Sequence, residues 1–205
     1  MLHTWTTYVN GDRLYTAAID RPTNVLDVRT GMNGLWARNM ADMFPDAQVT
    51  GFDQFVPSTE GRENLAFILQ SYSDTWILDE ITQVYGKMDF IYARALFAGS
   101  EDYADFYRQC FECVIIPGLT AYYSSSVHHV NANFVSSHLE PGGYLEESEL
   151  SPICRCDDDS GREDSLVKYL SHDMRAQLET HMRRDYNHAE SIKSMIEQVT
   201  LSPSL

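Results

Sequence analysis

The residues with the clearest chemical use lie between Asn24 and Asp53, in NVLDVRTGMNGLWARNMADMFPDAQVTGFD. Asp27 sits inside a short apolar run, Val25–Val28, two residues before a loop that carries Gly31 and Gly34. Asp53 closes a second apolar run, Val49-Thr50-Gly51-Phe52. Glycines in such a loop permit positive φ and let backbone approach a ligand closely. A helix that starts just after them offers unpaired N–H groups to a carboxylate or phosphate. An acid at the end of the second strand can accept hydrogen bonds from both hydroxyls of a ribose. These parts together describe the nucleotide half-site of an α/β fold.

Three readings of that half-site stand side by side. Residues 29–34, RTGMNG, keep the second and third glycines of G-x-G-x-x-G and place Arg29 at the first, which leaves a nicotinamide dinucleotide and an NAD(P)-dependent oxidoreductase formally open. The acid at position 27 points to S-adenosylmethionine (SAM), because a strand acid just before a glycine loop is typical of SAM methyltransferases. The third reading is an α/β turn that binds nothing. Arg94 ends a later apolar run, Met88–Arg94, at the sheet edge where ligands bind in such folds. It is read either as a ligand contact or as a solvated partner of a nearby acid. His128, His129 and His138 are possible bases, read more simply as loop histidines. Glu146, Glu147 and Glu149 form either one wet strand face or a group with one member in the pocket. No catalytic residue is assigned. Cys110, Cys113, Cys154 and Cys156 match zinc-ribbon spacing poorly, so no metal site is expected and reduced thiols are the simpler reading.

The elements that must hold these residues follow from the apolar pattern. Leu35, Trp36, Met40 and Met43 predict an amphipathic helix over 35–44, stopped at Pro45-Asp46. Strands are expected at 25–28, 49–53, 65–69, 88–94 and 144–150. Helices are expected near 74–84, at 103–112 with Tyr103, Phe106, Tyr107, Cys110 and Phe111 on one face, and at 165–184 and 190–199. Val9-Asn10-Gly11-Asp12 is a turn tetrad and predicts a small hairpin over 5–18. Cys154–Gly161 is an acidic loop. Alternation of strands and helices from 25 to 150 implies a Rossmann-like, mainly parallel sheet with right-handed crossovers. The expected organisation is one domain over 1–205, with its core at 22–152 and C-terminal helices within 162–200.

Composition narrows the partners. The 205 residues suit one domain with a substantial core. A formal net charge of −15 disfavours bare nucleic acid and anionic membranes. No apolar run approaches a membrane span, and the first twenty residues show no signal-peptide core, so a cytoplasmic or nuclear protein is expected.

With the elements placed, the chain resembles the fungal LaeA-like, velvet-associated class I methyltransferases over roughly residues 3–170. The likeness is carried by pieces in order: Gly11-Asp12-Arg13-Leu14-Tyr15 through Ala18–Pro22, Val25-Leu26-Asp27-Val28, Leu35-Trp36-Ala37, Met40–Pro45 and Val49–Asp53. It continues through Asp89–Arg94, Gly99-Ser100, Tyr107-Arg108-Gln109, Leu139–Glu146 and Cys154–Asp159. The resemblance implies a class I methyltransferase sheet, SAM as cofactor, and a small-metabolite substrate or a velvet-type protein partner in secondary metabolism. It implies that Gly31 and Gly34 line SAM, that Asp27 holds its amino group directly or through water, and that Asp53 takes the ribose hydroxyls. A binding-only relative that works through protein contacts is the alternative to an active enzyme. Arg29 stands where the family has its first loop glycine, and Asn33-Gly34 makes the loop one residue longer. Gln70 and Ser71 stand where the family often has acids, with Asp74 before Trp76 as partial compensation. Residues 171–205 do not resemble the family's closing helix and hairpin.

Between Phe111-Glu112 and His138 lies CVIIPGLTAYYSSSVHHVNANFVSS, residues 113–137, without a Lys, Arg, Asp or Glu. An average sequence would hold about six charges in that length. It reads as an insertion the fold does not need, encoded either by a retained intron or by genuine coding sequence. Its own Pro117-Gly118 turn leads into an apolar stretch that could compete with 140–150 for the fifth sheet position.

Overall fold

The computed structural model describes residues 2–70, 87–96, 120–125 and 139–149. It also describes Tyr103, Phe106, Tyr107, Cys110, Asp173, Ala176, Thr180, Ser191, Ile192, Ser194 and Met195. Helix α1 is Leu2–Val9 and α2 is Leu35–Met43. The strands are β1 Asn24–Val28, β2 Gln48–Asp53, β3 Leu65–Leu69, β4 Met88–Arg94, β5 Thr120–Ser125 and β6 Leu139–Glu149. They form one sheet in the order β3-β2-β1-β4-β6-β5, and every pairing is parallel. This is the Rossmann-like parallel arrangement expected from the sequence: β1 sits centrally, and the chain reverses direction across the sheet between β1 and β4.

The central strands are buried because parallel sheets are covered on both faces. All of Val25–Val28 and all but one residue of β4 are buried. β3 lies at an edge and is only half-buried, with Leu69 exposed, where the apolar run predicts a fully buried strand. On one face α2 packs Trp36, Ala37, Met40 and Ala41 into the core. Trp36 stacks on Tyr92 at 4.2 Å between centroids and 7° between planes. Its indole N–H donates to the Leu14 carbonyl at 2.8 Å, which satisfies its one polar atom. Trp36 and Met40 of the predicted stripe are buried, while Leu35 and Met43 are exposed and Ala37 and Ala41 are buried instead. The described residues of the 103–112 segment, Tyr103, Phe106, Tyr107 and Cys110, are helical and buried together, as their spacing predicts.

The N-terminal hairpin is replaced by α1. The tetrad that signals a turn ends a helix instead. Gly11 adopts φ 66°, its N–H donates to the Tyr8 carbonyl at 3.1 Å, and the Asp12 N–H donates to the Thr7 carbonyl at 2.8 Å. This pair of bonds is a Schellman C-cap, for which Asn-Gly is as well suited as it is for a hairpin. Thr6 and Thr7 also return their hydroxyls to the His3 carbonyl.

β6 takes the position beside β4, and β5 lies outside it. The rivalry between 114–122 and 140–150 is settled this way round in the structure. The predicted helix near 74–84, the acidic loop 154–161, His128, His129, His138, Ser71, Asp74, Cys113, Cys154 and Cys156 lie outside the described residues. So do most positions of the two C-terminal helices, although Asp173, Ala176, Thr180, Ser191, Ile192, Ser194 and Met195 are helical.

Candidate functional site

A cleft of about 400 Å³ opens at the carboxyl ends of β1, β2 and β4. That is within the range of small-ligand sites. Its walls are the loop Arg29–Leu35 on one side and Asp53-Gln54-Phe55 on the other, with Arg94 and His3 completing it. Four of the five residues singled out from sequence, Gly31, Gly34, Asp53 and Arg94, therefore line one cavity. Asp27 is fully buried and carries the loop from beneath.

The two glycines differ in role. A Cβ on Gly31 would meet nothing within 4 Å, so the open side of this residue faces space that a ligand can use. Its φ of 76° favours glycine in any case. A Cβ on Gly34 would lie 2.4 Å from Cζ of Phe67. Gly34 is required by the protein's own packing, and by its φ of 55° as the N-cap of α2. As a glycine it brings no side-chain cap to that helix end, which begins beside the cleft.

Asp53 joins the walls. Its Oδ2 accepts the Gly31 N–H at 2.9 Å and its Oδ1 accepts the Gln54 N–H at 2.7 Å. Each carboxylate oxygen keeps a second acceptor site, so both remain able to receive a hydroxyl. Asp27 Oδ2 accepts the Thr30 hydroxyl at 2.6 Å, while its Oδ1 is buried without a hydrogen-bond partner. Burial pushes its carboxyl up to about 6, against the opposing pull of Arg94 and the Thr30 hydroxyl. The Ala37 N–H at the start of α2 also favours the charged form of this carboxyl.

Arg94 is not a solvated side chain. It is buried, donates Nη2 to the Thr30 carbonyl at 3.3 Å, and places Nη1 3.3 Å from His3 Nδ1. An arginine can only donate, so Nδ1 is the acceptor and the neutral ring carries its proton on Nε2. Nε2 lies 3.2 Å from Asn39 Nδ2, so with the proton on Nε2 the Asn39 amide must be turned over to present its oxygen. Burial, and then the Arg94 charge, hold the His3 imidazole below its usual range.

His3 is not legible in the sequence, because its contacts, Asn39 and Arg94, lie far along the chain. Arg38 was missed as well. The three acids of β6 line no part of the cleft, and neither of the two readings given to them holds. All three are buried. Glu146 Oε2 accepts the N–H groups of Thr16 and Ala17, each at 2.7 Å, and burial raises its carboxyl to about 7. Glu147 Oε2 accepts the Tyr107 hydroxyl at 2.6 Å, and burial, then the Glu147 charge, push that phenol well up. No grouping of His, Cys, Asp and Glu suited to a metal occurs among the described residues.

Methyltransferase pytC of Aspergillus terreus is 24% identical over 206 residues, covering 99% of this chain and 53% of its own length. The secondary metabolism regulator LAE1 of Cochliobolus heterostrophus is 26% identical over 147 residues, 70% of this chain and 38% of its own. The chain is similar to the LaeA-like fungal methyltransferases. It spans about half the length, or less, of these relatives. A solved structure of MycE methyltransferase from the mycinamycin biosynthetic pathway overlaps 44% of this chain and 25% of its own at a TM-score of 0.35, with 22% identity. No protein-family model matches.

Proposed function

We propose that this LaeA-like chain binds SAM in the cleft between Gly31 and Asp53 and acts as a methyltransferase on a small metabolite of fungal secondary metabolism. The observation that carries the reading is the likeness to methyltransferase pytC along nearly the whole chain. The cleft supports it: open space over Gly31 and a carboxylate at Asp53 with acceptor capacity left, above the buried Asp27. When bound, SAM supplies an electrophilic methyl group on a sulfonium. The chain's part is to orient it. Asp53 receives the ribose hydroxyls, the loop at Gly31 approaches the ligand through backbone, and Asp27 and Thr30 set the polarity beneath. Proximity and in-line placement supply most of what methyl transfer needs. A base is required only where the acceptor must lose a proton.

A second reading has its own observation. Arg29 occupies a glycine position in the left-handed region, φ 62°, and lines the cleft. Such a loop suits a protein that holds SAM without turning it over and regulates through a velvet-type protein partner, in the cytoplasm or nucleus. Among the described residues no helix is long and apolar enough to cross a membrane.

Calorimetry with SAM, S-adenosylhomocysteine and NAD(P)H separates the cases. Binding of SAM with methyl transfer to a metabolite extract supports the first. Binding without transfer supports the second. Binding of NAD(P)H alone overturns both and restores the oxidoreductase.

A further inference from the structure

The two walls of the cleft are tied at their base by short bonds: the Thr30 N–H to the Phe52 carbonyl at 3.1 Å, and Gly31 to Asp53. Further out, the glycine loop continues through Asn33, and the opposite wall continues through Ser58 to Glu60. Arg38 lies behind both, on α2, and is 7% exposed. We propose that Arg38 is the positioning residue that fixes the separation of the two walls, and with it the fit of the ligand.

One planar guanidinium reaches three partners. Nε donates to the Asn33 carbonyl at 2.8 Å, on the loop side. Nη2 donates to the Ser58 carbonyl at 2.6 Å, on the opposite wall. Nη1 lies 2.7 Å from Glu60 Oε2, an ion pair outside hydrogen-bond alignment. The fork is rigid, so the three contacts set the distance between their partners as well as holding each. The cation also sits 5.8 Å from the centroid of Phe67, the ring that packs against Gly34.

A second observation comes from the far wall. Glu60 is not glycine, yet its φ is 55°. Such a backbone persists where the surroundings over-determine it. Its Oε2 is held by Arg38 on one side and by Arg62 Nη1 at 3.3 Å on the other. Burying a cation in a nine-residue helix carries a desolvation cost. The two carbonyls and Glu60 account for its presence, where an apolar residue would serve the helix alone.

The ligand arm of the test rests on the proposed SAM site; the backbone arm does not. Hydrogen exchange is followed on the ligand-free parent, Arg38→Met, Arg38→Lys and Glu60→Gln. Arg38→Met keeps length and helix preference but removes all three contacts, and amides of 31–35 and 54–60 should exchange at least tenfold faster. Arg38→Lys, which cannot reach both carbonyls at once, should fall between. Glu60→Gln, a surface change that spares the core, should affect 58–61 alone. β1 and β4 amides should stay as in the parent. Unchanged exchange in both walls overturns the proposal, and so does faster exchange spread evenly through β1 and β4, which would mark Arg38 as a general stabiliser. Calorimetry with S-adenosylhomocysteine, well below the melting temperature of each variant, should show Arg38→Met binding at least fivefold more weakly. Parent-like affinity in that variant also overturns the proposal. A parent that does not bind sinks the SAM reading instead, and the exchange data still judge Arg38.

Discussion

Asp53 holds two backbone amides and still has acceptor sites for a diol, so its removal acts on the ligand twice. Asp53→Ala deletes the bonds to the ribose and releases Gly31 from its 2.9 Å tether. A loss of about 1.5–3 kcal/mol in binding S-adenosylhomocysteine is expected, the range for hydrogen bonds to a charged group. Calorimetry that finds parent-like affinity in this variant would place the ligand elsewhere. Arg29→Gly tests the opposite wall. It removes a side chain from the cleft and a non-glycine residue from φ 62°. Glycine also adds freedom to the unfolded chain, which offsets the relief of strain. The melting temperature should therefore move little, while SAM affinity rises if crowding is the obstacle. Unchanged affinity would shift the explanation to the extra residue of the loop. At this scale the sequence was informative where chemistry is local. Asp27, Gly31 and Asp53 are legible because a strand acid, a glycine turn and a closing acid sit at fixed offsets. His3 and Arg38 are not legible, because their meaning depends on Arg94 and on Ser58, far away in the chain and brought near only by the fold.

Elements were legible according to how much of them is buried. β1, β2 and β4 stand out as apolar runs because both faces of a parallel sheet are covered. α1 was not legible, since Asn10-Gly11 can cap a helix or turn a hairpin, and only the bonds of Gly11 and Asp12 decide. The buried face of α2 is legible at Trp36 and Met40 but not at its ends, where Leu35 and Met43, both apolar, face solvent. The charge-free stretch 113–137 makes a further test at this scale. β6, not β5, sits beside β4, so removal of these residues takes away an outer strand and leaves the order β3-β2-β1-β4-β6. The deletion variant is expected to fold and to bind S-adenosylhomocysteine as the parent does. Sequencing of the messenger RNA is expected to reveal a spliced form that lacks these codons. A uniform transcript that keeps them, together with a deletion variant that does not fold, would make the segment a genuine part of the domain.

The whole molecule carries its acids in an unusual distribution. Formal charge is −15, and two carboxyls are buried at the centre of the sheet with raised values, Asp27 to about 6 and Glu146 to about 7. Between their unfolded and folded values the native state holds more protons than the unfolded chain, so stability falls as pH rises through roughly 4 to 7. Each group costs on the order of 3 kcal/mol above that window. His3 acts in the other direction, because its lowered value makes the native state lose stability as pH falls below the usual imidazole range. The acids outnumber it and are more deeply buried, so thermal melts should run higher at pH 5 than at pH 8. Asp27→Asn and Glu146→Gln should flatten that slope and raise the melting temperature at pH 8. In the second variant the new side-chain carbonyl oxygen can still accept the Thr16 and Ala17 amides. A parent that melts higher at pH 8 would contradict the assignment.

β5 and β6 run side by side with Thr120 opposite Tyr144, and each of these two residues is preceded by a Pro-Gly pair that begins three positions upstream, Pro117-Gly118 and Pro141-Gly142. The two stretches thus share one sequence signal at the same offset, and the earlier one leaves the ribosome first. If 120–125 pairs with β4 before 139–149 is made, it must leave again before β6 can take its place. Kinetic traps of this kind arise where two segments satisfy one site. Stopped-flow refolding of the parent should show a slow phase that the 113–137 deletion lacks, and identical single-phase traces from the two chains would mean that the earlier copy never competes.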